Sequence, residues 1–320
     1  MVLAAFRRAL CHCAEWRGTG ARRRRAERAI LTLKRVANDP SGPLLSLITA
    51  ADNDENNLEM VPVRLQGMVL LVDVLPKHPA MFNDATMDSI ILPAIYKAVT
   101  PDPKLVRIVN FGPFTHRVDD GIPLRRAGCK ALGTMIMMTA AAAPDVSKTV
   151  SSTVALSTAA TAAAKETSRK GAALRNCLAR LLAGLAEYDG DEAILAWRIV
   201  QDISARPSTS SALLLIANEL PSRVLNKIKT LLKASKGNDA AADRSRDVLR
   251  ECVRALYSIT QIPGVGRCEA FMDFFERVKQ TTLLNAMLKA ILSSNDAAGR
   301  DGNSSRRRRG DENGRRSSGK

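Results

Sequence analysis

Residues 105–121 read LVRIVNFGPFTHRVDDG, a stretch that stands apart from the helical patterns on either side. β-Branched and aromatic residues dominate it and Gly112-Pro113 interrupts it, which predicts a β-hairpin. A type II′ turn suits this dipeptide, because it needs a positive φ that Gly permits and then a negative φ that Pro accepts. The register that follows is defined by three cross-strand pairs: Phe111 with Phe114, Val109 with His116, and Arg107 with Val118.

One face of the predicted hairpin is apolar. It would carry Leu105, Val109, Phe111, Phe114 and Val118. An isolated hairpin is marginal in water, so this face must pack against something. Two alternatives are open from the residues alone: the hairpin folds back over its own helices, or it is offered to a partner protein.

Outside this segment the apolar spacing is helical almost everywhere. The leucines at 174, 178, 181, 182 and 185, for example, lie on one face of an amphipathic helix. Aromatic residues are only 4% of the chain, and the Ala- and Leu-rich remainder favours helices over sheets. The pattern predicts helices near 24–37, 61–76, 84–99, 122–139, 172–187, 191–205, 212–234, 243–262, 266–280 and 282–293.

A short internal repeat suggests how these helices are arranged. Pro62-Val63-Arg64 is followed by Gly67, and Pro123-Leu124-Arg125 is followed by Gly128 at the same offset. A Pro in the first turn costs no hydrogen bond, and a small residue one turn later lets a neighbouring helix approach. The pattern resembles the first helix of a HEAT repeat. We therefore predict an all-α, HEAT/armadillo-like helical-repeat superhelix with one projecting β-hairpin.

Composition divides the chain into five segments. They are a basic, partly helical arm at 1–39, HEAT repeats at 40–138 with the hairpin at 105–119, a low-complexity Ala/Ser/Thr insertion at 139–170, C-terminal HEAT repeats at 171–293, and a disordered basic tail at 294–320. Of the net charge of +16, ten Lys/Arg and three acids at 1–39 contribute +7, and eight Lys/Arg and four acids at 296–320 contribute +4. The basic character belongs mainly to the two ends, where charge runs are usually solvated.

We expect no catalytic residues, metal site or cofactor. The three His, at 12, 78 and 116, are scattered, and no CxxC pair or Gly-rich phosphate loop is present. The acids Asp119 and Asp120 precede a predicted helix start, so a structural role at its positive end is favoured over metal binding. No apolar run is long enough to span a bilayer, so we expect no membrane association.

The hairpin and the residues after it resemble a known family. Residues 111–121, FGPFTHRVDDG, followed by Leu124-Arg125-Arg126-Ala127, are similar to the signature GPFKH-x-VDDG-x-x-[IL]RK-A of the cullin-associated, neddylation-dissociated proteins. These are also called TATA-binding-protein-interacting proteins, and the resemblance is to their C-terminal region. Residues 246–262 resemble the family's last repeat. The chain departs from the signature at Thr115, where the family has a basic residue, and it lacks the acids usual in the first strand.

The resemblance implies a protein-binding function. Family members wrap around an unmodified cullin, and their hairpin occupies the site of the adaptor on the cullin's N-terminal domain. It implies regulation of SCF and other cullin–RING ubiquitin ligase assembly in cytoplasm and nucleus, with no small-molecule substrate and no expected nucleic-acid partner. Partner-binding residues would be Arg107, Val109, Phe111, Gly112, Pro113, Phe114, His116 and Val118. Residues with a structural role would be Asp119, Asp120, Gly121 and Arg125.

Two alternatives to cullin binding stay open. The chain could be a generic HEAT-repeat scaffold that does not bind a cullin. It could also be a basic nuclear protein that contacts nucleic acid or the transcription machinery through its charged ends.

Overall fold

The computed structural model describes residues 48, 57–77, 82–112, 114–142 and 158–293. The predicted basic arm at 1–39 and tail at 294–320 lie outside these residues. The helices are α1 (Asn57–Val74), α2 (Asp84–Thr86, Met87–Ile91 and Leu92–Val99 in succession), α3 (Ile122–Ala142), α4 (Thr158–Glu187), α5 (Gly190–Ser204), α6 (Leu220–Ala234), α7 (Ala240–Thr260), α8 (Glu269–Gln280) and α9 (282–293). Two strands, β1 (Val106–Phe111) and β2 (Phe114–Asp119), lie between α2 and α3.

The helices pack in two layers. Helices α1, α3, α5 and α7 contact one another in succession, and so do α2, α4, α6 and α8. Helix α3 also packs against α2 and α4, so it lies at the centre of the hairpin-bearing half. One continuous cluster of buried apolar residues runs from Ile48 to Ile291 between the layers. The fold is an all-α helical repeat with one β-hairpin, as the sequence predicts.

Close approach of α2 and α3 depends on the glycine of the internal repeat. A methyl group at Gly128 would lie 3.0 Å from the Cβ of Ala98 and 3.1 Å from a Cγ of Val99. The two helices therefore pack closely here, as the repeat pattern predicts. Each side chain added at this position would push α2 away from α3.

Prolines set several helix boundaries and explain two differences from prediction. Pro221 lies in the first turn of α6, and a 3₁₀ segment at Ser211–Leu215 precedes it, so the predicted helix at 212–234 is divided. Pro62, by contrast, lies inside α1 rather than in its first turn. Pro93 follows the π-helical turn Met87–Ile91, where the Leu92 N–H donates to the carbonyl of Met87 five residues back. The wider turn accommodates a proline ring that would otherwise crowd the carbonyl four residues before it.

The predicted insertion at 139–170 is helical at both of its ends. Helix α3 continues to Ala142, and α4 begins at Thr158, well before the predicted start at 172. Ala has the highest helix propensity, which explains why alanine-rich sequence extends both helices. Residues 143–157 lie outside the described part of the chain. In the described residues, no helix combines the length and apolarity that a membrane crossing requires.

Candidate protein-binding site

The two strands pair in the predicted antiparallel register. Phe111 is opposite Phe114, Val109 is opposite His116 and Arg107 is opposite Val118. Gly112 in the turn has a φ of 59°, a conformation that glycine adopts without a Cβ penalty. Pro113 and the side chain of Phe111 lie outside the described residues, so the predictions made for them stay predictions.

The outer part of the hairpin is open to solvent. Ile108 is 70% exposed and Phe114 is 67% exposed, the two highest values among the described large hydrophobic side chains. Val109 and Val118, on the same face as Phe114, are half-buried, and Leu105, just before β1, is only 4% exposed. The hairpin therefore has a buried base and presents Phe114 at its tip and Ile108 on the opposite face to solvent.

A buried arginine connects the base of the hairpin to two helices through ion pairs. Arg125, in the first turn of α3, donates from Nη2 to Asp119 Oδ2 at 2.7 Å and from Nε to Glu192 Oε1 at 2.7 Å. Arg125 and Glu192 are 5% and 7% exposed, so this is a buried ion pair across 67 residues of sequence. Asp119 at the end of β2 is thereby connected through α3 to α5.

The two carboxylates of the Asp119-Asp120 pair have different partners. Burial by itself would raise the pKa of Asp119, but hydrogen bonds from Arg125 and from the Gly121 N–H outweigh it and hold that pKa below its usual value. Asp120 accepts from Nε of Arg107 on β1 at 2.7 Å, and its N–H donates to the carbonyl of Leu105. Both acids thus connect hairpin strands to one another and to α3.

Gly121 has a packing role at this junction. A Cβ there would lie 3.0 Å from Arg125 Nη1, 3.0 Å from Leu105 Cδ1 and 3.1 Å from Asp119 Oδ1. No side chain fits without displacing the ion pair or the buried leucine. The glycine therefore allows β2 to turn directly into α3 over the buried arginine.

The start of α5 carries the other half of the base. Glu192 and Asp191 lie in the first turn of α5, where Asp191 pairs with Arg126 of α3 at 2.6 Å, and Asp189, just before the helix, pairs with Lys227 of α6. Three acids in four residues therefore contact helices on both sides of this junction. The hairpin base is part of an ionic network that joins successive repeats.

A profile of the family described as TATA-binding protein interacting (TIP20) matches residues 85–279, more than half of the chain. This chain belongs to that family. The matched region begins in α2, contains the hairpin and its base, and ends in α8.

Two relatives carry the same printed name, Cullin-associated NEDD8-dissociated protein 1. The Dictyostelium discoideum protein is 25% identical over 277 residues, which is 85% of this chain and 19% of that protein. The Drosophila melanogaster protein is 21% identical over 239 residues, which is 72% of this chain and 16% of that protein. This family member thus spans less than a fifth of the length of either relative.

The structure brings most of the predicted site residues to one face of the hairpin. Arg107, Val109, Phe114, His116 and Val118 share the face that the register defines, and Asp119, Asp120, Gly121 and Arg125 form its base. Three residues were not among the predicted ones: Ile108 and Arg117 on the opposite face, and Glu192 in the base. The strict alternation of a strand could have identified Ile108 and Arg117, whereas no local pattern indicates Glu192.

The chemistry available at this site is that of protein docking. Its outer surface offers two large apolar side chains, exposed guanidinium groups and strand edges. Over the described ranges, no group of three His, Cys, Asp or Glu side chains is placed to hold a metal ion. The four described cysteines are buried, and burial raises the pKa of Cys129 to about 11 and raises the pKa of Cys177.

Proposed function

We propose that this chain binds a cullin that lacks its NEDD8 modifier, and that it does so through the hairpin formed by β1 and β2. The observation that carries the proposal is the exposure of Phe114 and Ile108 on a hairpin whose base is bound by a buried arginine. Large apolar side chains exposed together on one short element are typical of interaction sites. The names of the two relatives supply the partner, since both are described as cullin-associated.

The ion pairs at the base give the hairpin an energetic advantage in binding. A partner gains free energy from burying apolar side chains, but it must offset the entropy lost when a mobile segment becomes ordered. Here the pairs Arg125–Asp119 and Arg107–Asp120 hold both strands before any partner arrives. The preformed hairpin therefore loses little conformational entropy on binding.

Competition is the mechanism that we propose for regulation. The hairpin would occupy the adaptor's site on the N-terminal domain of the cullin, so that chain and adaptor each weaken the other's binding by the same factor. The chain would thereby influence the assembly of SCF and related cullin–RING ubiquitin ligases, in cytoplasm and nucleus. It would act by binding alone, without catalysing a reaction.

The test measures the affinity of the full chain for a purified, unmodified cullin. Phe114→Asp places a charge on the exposed tip, and Leu215→Asp is a matched control because Leu215 is 41% exposed on the 3₁₀ segment far from the hairpin in sequence. We expect Phe114→Asp to weaken binding at least about tenfold and Leu215→Asp to leave it within about twofold. Equal affinity of the wild-type chain and Phe114→Asp would contradict the proposal.

A second measurement tests competition. Immobilised cullin is loaded with the chain, and the adaptor is then added in increasing concentration. We expect the adaptor to release the wild-type chain, and a chain lacking 107–117 to be captured weakly from the start. Circular dichroism of the shortened chain should retain the helical signal, since the hairpin contributes no helix. Simultaneous binding of chain and adaptor without mutual weakening would exclude competition.

A further inference from the structure

The hairpin presents large apolar side chains on both of its faces. In an antiparallel ladder, residues directly opposite each other lie on the same face, and neighbours along a strand alternate. Phe114, paired with Phe111, therefore lies on one face, and Ile108, paired with Arg117, lies on the other. The two most exposed hydrophobic side chains thus point in opposite directions from one thin ribbon.

The chain's own helices cover neither of these side chains. Ile108 is 70% exposed and Phe114 is 67% exposed, whereas Val109 and Val118 on the Phe114 face and Val106 on the Ile108 face are partly covered. If the hairpin lay flat against its own helices, the whole of one face would be buried. Each face instead presents one large apolar side chain to solvent, Phe114 in the pair at the turn and Ile108 in the third pair from the base.

The two faces differ in charge. On the Phe114 face, Arg107 is paired with Asp120 at 2.7 Å. On the Ile108 face, Arg117 is exposed, and within the described part of the chain no carboxylate lies in salt-bridge distance of its guanidinium. Arg117 does contribute to lowering the pKa of Asp119, but that carboxylate is already bound by Arg125. Residues 103–118 contain no acid, so positive charge remains beside Ile108.

We propose that the partner takes the hairpin, from Ile108 to the turn, into a slot that covers both faces. One wall is apolar where it meets Phe114. The other is apolar where it meets Ile108 and carries a carboxylate that pairs with Arg117. Contact with one face alone would leave a large hydrophobic side chain in solvent at the centre of the interface, whereas a slot desolvates both. This inference rests on the proposed function and adds the geometry and charge of the surface that receives the hairpin.

The test uses the full chain and unmodified cullin, with Ile108→Asp beside Phe114→Asp and the control Leu215→Asp. We expect Ile108→Asp to weaken binding at least about tenfold, as Phe114→Asp does. All three positions are exposed, so we expect the folded chain to tolerate the substitutions, and the circular dichroism and melting temperature of each variant check this. Weakening by Phe114→Asp alone would show docking of a single face, which overturns the slot and leaves the proposed function intact. No weakening by either variant would overturn both.

Charge is tested separately with Arg117→Glu and Arg117→Gln. We expect Arg117→Glu to weaken binding more than Arg117→Gln does, and the difference to shrink as salt is raised, because salt screens a partly exposed ion pair. Equal affinity of the two variants at low salt would overturn the carboxylate in the second wall. Tighter binding by Arg117→Glu would overturn it as well and would indicate a basic wall.

Discussion

Replacing Arg125 by methionine should destabilise the fold far more than replacing its neighbour Arg126. Arg125 is 5% exposed and is shared by Asp119 and Glu192, each at 2.7 Å. Methionine has a similar length but no charge. The substitution leaves Glu192, which is 7% exposed, without the cation that compensates its burial.

The magnitude follows from the burial of the two carboxylates. Removing one partner of a buried ion pair costs about 3–5 kcal/mol, because the remaining charge is left uncompensated in a poorly solvated site. The side chain of Asp119 is 25% exposed, so water can solvate that end in part. For Arg126→Met we expect at most about 1 kcal/mol, because its pair with Asp191 has side chains that are 43% and 49% exposed. Arg126 Nε is moreover a buried donor without a partner within the described residues, and methionine removes it.

Urea unfolding followed by far-UV circular dichroism measures both effects. The free energy of unfolding should fall by about 3 kcal/mol or more for Arg125→Met and by about 1 kcal/mol or less for Arg126→Met. Adding Glu192→Leu to Arg125→Met should restore a large part of the loss, because it removes the uncompensated charge. Equal losses in the two single variants, or no recovery in the double variant, would refute the role assigned to the buried pair.

Three further predictions concern packing, pH and thiol reactivity. Gly128→Ala should lower the free energy of unfolding by about 1 kcal/mol, because the added methyl group lies 3.0 Å from Ala98. Gly171→Ala in α4 meets nothing within 4 Å and should raise the free energy of unfolding by about 0.5–1 kcal/mol. Urea unfolding of both variants measures the two changes. Burial by itself raises the pKa of Glu251, but Gln201 and two arginines outweigh it and lower that pKa below 4.5. Stability from this carboxylate is therefore present above pH 4.5 and lost as pH falls through the lowered pKa, so Glu251→Gln should flatten the acid side of a stability–pH profile. Iodoacetamide at neutral pH should label Cys129 only after unfolding, since burial raises its pKa to about 11; rapid labelling of the native chain, located by mass spectrometry, would contradict this.

Local patterns in the sequence are sufficient to predict the hairpin. The alternation of its strands and Gly112-Pro113 between them fix which residues pair, and the predicted pairs are those observed. Register is set by the turn, which involves only neighbouring residues. The burial of Leu105 and the exposure of Phe114 could not be predicted from local sequence, because they depend on where the helices on either side of the hairpin lie.

Long-range partners are what the sequence does not reveal. Arg125 belongs to a recognisable motif, but its second carboxylate, Glu192, lies 67 residues further on in the first turn of α5, and nothing in the local sequence indicates Arg125 as its partner. The prediction of helix boundaries was limited by a different effect, since Pro62 lies inside α1 whereas Pro221 lies in the first turn of α6. A proline indicates a place where a helix can begin, and tertiary packing decides whether it does.

The claim that the hairpin is the surface a cullin buries is tested most directly by hydrogen–deuterium exchange. The full chain is compared alone and with saturating unmodified cullin, and amide exchange is followed by mass spectrometry across 106–119. We predict that exchange slows in this segment, on β1 and β2 alike, because a slot shields both strands from water. Saturating complex formation with unchanged exchange across 106–119 would show that the partner binds elsewhere and would contradict the account.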